Sequence, residues 1–142
     1  MTDKVNPIPE NYRSATPYLN VKDGTRAIEF YKQAFDASEV IRIPRRDGKL
    51  GHAEVRIGEA LIMIRDEIPE MNFLSPQSIG GTPVQILIYV NDVDALLKQA
   101  EAAGAKVDLT RFDGHPDNAR YYDRAGRCSW QNQKENLLLS SS

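Results

Sequence analysis

The sequence predicts an α+β chain built of two tandem βαβββ modules that enclose a cleft between curved mixed sheets. Three observations predict it. The segment Thr16-Pro17-Tyr18-Leu19-Asn20-Val21-Lys22-Asp23, followed by a helical stretch ending at Phe35-Asp36-Ala37, is echoed by Gln85-Ile86-Leu87-Ile88-Tyr89-Val90-Asn91-Asp92 and a helical stretch ending at Ala103-Gly104-Ala105. The offset is 69 residues between Asp23 and Asp92 and 68 between Ala37 and Ala105, the mark of a duplicated structural unit. After the first helix, runs of alternating apolar and polar residues are separated by turn signals, as in a sheet with one buried face. A Pro-, Gly- and Ser-rich stretch, Asp66 to Pro83, then divides the chain into residues 1–75, one module with an N-terminal extension, and residues 76–142, a second that diverges after residue 111 and whose last strand is uncertain. Two facing modules form a cleft, the usual place for a small-molecule site.

The elements follow in order. Residues 14–21 read as a strand. Thr25 to Phe35 reads as a helix, with Ile28, Tyr31 and Phe35 on one face and Asp23 or Thr25 as its N-cap. Ser38 to Ile43 is a strand leading into Asp47-Gly48, a hairpin turn signal. Leu50 to Ile57 and Ala60 to Arg65 are strands across the tight Gly58-Glu59 turn. Past the linker, the second module begins at Val84. Its helix, Val93 to Ala103, turns Val93, Leu96, Leu97 and Ala100 inward and stops at Gly104. Lys106 to Thr110 is a strand. Beyond Arg111 only Arg120 to Tyr122 and Cys128 to Gln131 are strand-like, and Ser140-Ser141-Ser142 reads as a frayed end.

Composition narrows the function classes. The 142 residues are 41% hydrophobic and 27% charged, enough to bury a real core. A net charge of −2 from interspersed signs offers no basic stripe for nucleic acid and no polybasic anchor for a membrane. Met1 to Glu10 lacks an apolar stretch, no segment approaches a membrane span, and the single Cys128 cannot form an internal disulfide, so the expected location is cytoplasmic.

The βαβββ repeat, the Ala27-Ile28-Glu29-Phe30-Tyr31 helix core and Gly51-His52-Ala53-Glu54-Val55-Arg56-Ile57-Gly58 resemble the vicinal oxygen chelate superfamily. This is the group of glyoxalase I, bleomycin-resistance proteins and extradiol dioxygenases, and the chain looks most like its PhnB-like branch. The match runs from about Thr16 to Thr110 and continues in Tyr121-Tyr122-Asp123-Arg124-Ala125-Gly126-Arg127, after which Cys128-Ser129-Trp130-Gln131-Asn132-Gln133 departs from the family pattern. The resemblance implies a small-organic-molecule ligand, paired chains forming a homodimer, and in some members a divalent metal held by His or Glu from the first and fourth strands of each module. Aligned on Val21 and Val90, those positions carry Thr16, Gln85 and Met63 here, and the fourth falls where the pattern is lost. Hydroxyl, amide and thioether are poor donors for such an ion.

Strand alternation supplies another polar set. With Gly58 and Glu59 as the turn, Ile57 faces Ala60, Val55 faces Ile62 and Glu54 faces Met63, so His52, Glu54 and Arg56 share the side of Met63. Ala53, Val55, Ile57, Ile62 and Ile64 make the opposite, apolar side. On the outer strands Thr16, Tyr18 and Asn20 share one face, as do Gln85, Leu87 and Tyr89. The candidate catalytic residue is therefore Glu54, a desolvated carboxylate beside a histidine. The candidate substrate-binding residues are Thr16, Tyr18, His52, Met63, Gln85 and Tyr89, with no metal ligands assigned. The competing structural reading of His52 and Glu54 is a rim ion pair with Arg56 or Arg65. Phe112, Tyr121, Tyr122 and Trp130 read as core or stacking residues, and Met71, Phe73 and Leu74 as a lid or a packed junction.

The expectation is a small-molecule-binding protein of the glyoxalase/bleomycin-resistance type with a degenerate metal site and no cofactor. The alternative is a divalent-metal-dependent lyase, isomerase or dioxygenase using a divergent site with His52 and Glu54. Whether the chain is an enzyme stays open at this point, with metal-free proton abstraction by Glu54 a third route.

Overall fold

A computed structural model describes residues 6–12, 14–84, 86–107, 127–133 and 136–141, with side chains as far as Lys106. The first half forms β1 (Tyr18–Val21), α1 (Gly24–Phe35), β2 (Ser38–Pro44), β3 (Leu50–Ile57) and β4 (Ala60–Asp66), in a sheet of order β1-β4-β3-β2. β1 runs parallel to β4 and the other pairs are antiparallel. The predicted βαβββ module is therefore present, and the β3–β4 register agrees pair for pair: Ile57 with Ala60, Val55 with Ile62, Glu54 with Met63.

β1 starts four residues later than the sequence suggests. Pro17 has no N–H to give a ladder, and pairing begins with its carbonyl, which accepts from the Met63 N–H at 2.9 Å. Thr16 consequently lies ahead of the strand. The Asp23 side chain caps α1 through the Arg26 N–H at 3.1 Å. Ile28, Tyr31, Ala34 and Phe35 form one buried stripe against Ala53, Val55, Ile57, Ile62 and Ile64, the apolar sheet face foreseen from alternation. Gly24 is obligatory by space: a Cβ there would lie 2.3 Å from Leu50 Cδ2 and 3.0 Å from Leu50 Cβ. The buried Asp66 carboxylate joins the same corner, accepting from the Gly24 N–H at 2.5 Å and the Leu50 N–H at 2.7 Å.

The linker is more ordered than its composition suggests. It holds a 3₁₀ turn at Pro69–Met71 and a short helix, α2 (Pro76–Ile79), capped by Ser75. Glu67 anchors it: Oε1 accepts from Lys22 Nζ at 2.6 Å, and Oε2 accepts from the Ser75 N–H at 2.8 Å and Ser78 Oγ at 2.7 Å. The Lys22 ammonium and these serine donors outweigh burial and hold the Glu67 carboxyl at about 2.

The second half comprises β5 (Ile86–Tyr89), α3 (Val93–Ala102), β6 (Lys106–Val107), β7 (Arg127–Gln133) and β8 (Asn136–Ser141). The element order repeats the first half but the pairing does not. The sheet order is β5-β7-β8-β6, with β5 antiparallel to β7 and β6 parallel to β8. The strand-like Cys128 to Gln131 lies within β7, whereas Ser140 and Ser141 pair with Ser129 and Cys128 rather than fraying. Ladder hydrogen bonds use main-chain groups, so a serine-rich run can pair without an apolar pattern to announce it. The strand expected over Lys106 to Thr110 is described only to Val107, and that at Arg120 to Tyr122 lies outside the described residues. α3 docks on α1, where Leu97 and Ala100 enter the common core and Gln99 Nε2 donates to the carbonyls of Gln33 and Ala34 at 3.0 and 3.2 Å. No described helix is long and apolar enough to cross a membrane.

Candidate functional site

The face of the first sheet opposite α1 carries a continuous hydrogen-bonded chain. Tyr18 on β1 lies directly opposite Met63 on β4, which in turn lies opposite Glu54 on β3. Period-two alternation brings His52 to the same side. Tyr18 Oη is 2.8 Å from His52 Nδ1, and the two rings meet edge to face at 5.4 Å. His52 Nε2 is 3.0 Å from Glu54 Oε1. Tyr12, from the segment ahead of β1, donates to both Glu54 oxygens at 2.6 Å.

The protonation pattern follows from the carboxylate. Burial pushes the Glu54 carboxyl up, but hydrogen bonds from Tyr12 and His52, with the His52 charge, outweigh it and hold it below the ordinary glutamate value. Glu54 is then an ionised, acceptor-only group that takes a ring N–H from His52 Nε2, while Nδ1 on the other side of the ring meets the Tyr18 hydroxyl. The same contact with Glu54 raises the Tyr12 phenol above its ordinary value. Tyr18 is the exposed end of the chain and Glu54, 7% exposed, its buried centre.

The rim ion pair expected for His52 and Glu54 does not form with either arginine. Arg56 Nη1 donates to the Glu59 carbonyl at 3.3 Å, and Arg65 Nε donates to Asn20 Oδ1 at 2.8 Å. Arg65 instead lies between two rings, its guanidinium carbon 4.3 Å from the centroid of Tyr18 and 3.7 Å from that of Phe73. The sequence reading missed Tyr12, and it weighed Arg65 only as a partner in a rim ion pair. Tyr12 lies in a loop without periodicity, while Arg65 was legible by its position two residues after Met63 on β4.

Two cavities flank this face. One, of about 350 Å³, opens between the β1 edge, the linker and the start of β5, with Tyr18, Asn20, Leu74, Ile79 and Ile86 in its wall. The other, of about 610 Å³, lies between the β3–β4 turn and β5, with Phe35, Arg56, Glu59 and Tyr89 in its wall. His52, Glu54 and Met63 line neither of these two. The structure thus gathers Tyr18, His52, Glu54 and Met63, leaves Thr16 ahead of β1, and puts Tyr89 on the second cavity. Gln85 lies outside the described residues, as do Phe112, His115, Tyr121 and Tyr122 and the side chains of Cys128 and Trp130. Among the described residues no three of His, Cys, Asp and Glu converge as a metal-holding group.

The family model described as Glyoxalase/Bleomycin resistance protein/Dioxygenase superfamily matches residues 13–126. The chain belongs to this superfamily. Among curated proteins it is similar to the uncharacterized protein Mb0911c of Mycobacterium bovis, 47% identical over 95 residues that cover 65% of this chain and 62% of that protein. The uncharacterized protein Rv0887c of Mycobacterium tuberculosis shows the same identity over 56% of its length. The chain therefore spans less than two thirds of the relatives it matches.

Solved structures agree on the fold. TioX from Micromonospora sp. ML1 superposes with a TM-score of 0.57 at 24% identity, covering 88% of this chain and 94% of TioX. An Arabidopsis thaliana gene product gives 0.63 at 17%, covering 91% and 96%. The fosfomycin resistance protein FosX from Listeria monocytogenes gives 0.58 at 16%, covering 90% and 91%. At these identities the likeness speaks for the fold alone.

Proposed function

We propose that this protein binds a small organic molecule in the manner of the bleomycin-resistance branch of its superfamily, with a metal site that has degenerated. The observation that carries this is the closed chain Tyr18–His52–Glu54–Tyr12. Both ring nitrogens of His52 are engaged by neighbours, so no free nitrogen lone pair is presented to a cation, and both Glu54 oxygens already accept from Tyr12, one of them also from His52. Thr16 and Met63, at positions where metal-dependent members carry ligands, supply a hydroxyl and a thioether, which do not fit a divalent ion. Glu54, held below its ordinary value, is a weak base suited to fixing Tyr12 and His52 rather than to abstracting a proton. Tyr18 then presents its ring and hydroxyl to the ligand at the mouth of the 350 Å³ cavity.

The test is a thermal-shift screen of small organic compounds followed by calorimetry, with Tyr18→Ala as control. The expected result is saturable binding that Tyr18→Ala weakens by about tenfold or more, equivalent to about 1.4 kcal/mol. Failure of every compound to bind would overturn the proposal.

The second reading, a metal-dependent lyase, isomerase or dioxygenase, is favoured by one observation, the 3.0 Å contact between His52 and Glu54. Elemental analysis of protein purified without chelator separates the two. No stoichiometric Zn, Ni, Mn or Fe is expected, and about one equivalent that disappears in His52→Ala would promote the enzyme. The proposal also includes a cytoplasmic homodimer. Ile41 and Ile43 on β2 and Leu87 and Tyr89 on β5 are 41–65% exposed, apolar surface that a second copy would cover. Light scattering showing a clean monomer at micromolar concentration would refute that part.

A further inference from the structure

Arg65 differs from Arg42 and Arg45 in its company. Arg42 pairs with Glu39 at 2.8 Å and Arg45 with Asp47 at 2.5 Å, both at the surface. Arg65 is half-buried on the polar face, yet no carboxylate among the described residues meets it. Its neighbours hold it without neutralising it. The Tyr18 and Phe73 rings both lie against the guanidinium, at 4.3 and 3.7 Å, and Asn20 Oδ1 takes the Nε proton, so the group is held at three points. Phe73 is itself held by reciprocal main-chain bonds with Ile68, at 2.8 and 3.1 Å. Glu54 on the same face is held by Tyr12 and His52 and makes no contact with Arg65. What remains is the pair of terminal nitrogens, whose four N–H groups make no hydrogen bond among the described residues. A planar fork of donors, oriented in advance and with no counter-ion among the described residues, is complementary to a carboxylate, which it can grip through two parallel hydrogen bonds.

We infer that Arg65 is a preorganised clamp for the carboxylate of an amphiphilic small molecule whose apolar body lies in the adjoining 350 Å³ cavity. The two parts are contiguous, because Tyr18 and Asn20 both touch Arg65 and both line that cavity. Beyond them the wall is apolar: Pro17, Leu19, Leu74, Pro76 and Ile79. An apolar pocket with one oriented charged group at its rim selects ligands by sign as well as shape. This rests on the small-molecule reading above and names the ligand class for it.

The experiment titrates the full chain with benzoate and with its neutral counterpart benzamide at low salt, followed by amide chemical shifts. Benzoate is expected to bind about tenfold tighter or better, with the largest shifts at Tyr18, Asn20 and Phe73. Arg65→Gln should abolish the preference and leave benzamide affinity within about twofold. Arg65→Lys keeps the charge but loses the fork and the stacking, so most of the preference should go with it. This variant also guards against misfolding of the first. Equal affinities in the wild type, an undiminished preference in either variant, or no binding of either probe would overturn the clamp. If benzamide binds but benzoate has no advantage, the clamp alone falls. If neither probe nor any compound of the screen binds, the small-molecule reading falls with it.

Discussion

Replacing Glu67 by Gln preserves shape and removes the charge from the anchor that ties β4 to the linker. A glutamate held at about 2 in the folded chain, against an ordinary value of 4.5, corresponds to an upper limit of about 3 kcal/mol at neutral pH, at roughly 1.36 kcal/mol per pKa unit. Lys22, its ionic partner, is 57% exposed on its side chain and therefore screened. The Ser75 N–H and Ser78 hydroxyl, held against a carboxylate only 10% exposed, account for the remainder, and roughly 2 kcal/mol is the expected loss in Glu67→Gln. The pH dependence has a definite sign. A carboxyl whose folded value is depressed stabilises fully above its unfolded value, and that stability fades as pH falls from about 4.5 toward 2. Urea unfolding followed by circular dichroism should show the wild type losing stability through this window and the variant losing less, so that the two converge in acid. Glu39 is also held at about 2, by Arg42 and Lys32, but those partners are about one-third exposed, and Glu39→Gln should cost under about 1 kcal/mol. A Glu67→Gln variant within about 0.5 kcal/mol of wild type at neutral pH, with a parallel acid limb, would refute the reasoning. Because Ser75 introduces the helix that carries Pro76 and Ile79 into the cavity wall, the same variant should weaken ligand binding.

Val55→Ala removes two methyl groups from a fully buried site on the helix-facing side of β3 and should cost about 1–3 kcal/mol in chemical denaturation; a loss under about 0.5 kcal/mol would contradict the register. Gly24→Ala drives a Cβ into the buried Leu50 side chain and should lower stability by about 1–3 kcal/mol, read as a depressed melting temperature, although alanine is the better helix former elsewhere.

The first module was largely legible in the sequence because each of its signals is local. Alternation in Leu50 to Ile57 and Ala60 to Arg65, broken by Gly58-Glu59, leaves one pairing that buries Ala53, Val55, Ile57, Ile62 and Ile64 together, and a slip by one residue would expose all of them. Asp23 capped its helix for equally local reasons. The second half was legible only where apolar periodicity persists, through α3. Its strand pairing was not, since β8 includes Ser140 and Ser141 and is held by main-chain bonds to β7 that no side-chain pattern reports. In the site, alternation put His52, Glu54 and Met63 on one face. Only tertiary structure decided that Tyr12 would reach Glu54 across 42 residues of chain. It also decided that Tyr18 rather than Thr16 would stand opposite Met63, and that Arg65 would be flanked by a ring from the linker. Those contacts depend on where a loop returns after the sheet has formed, and distance along the chain carries no record of it.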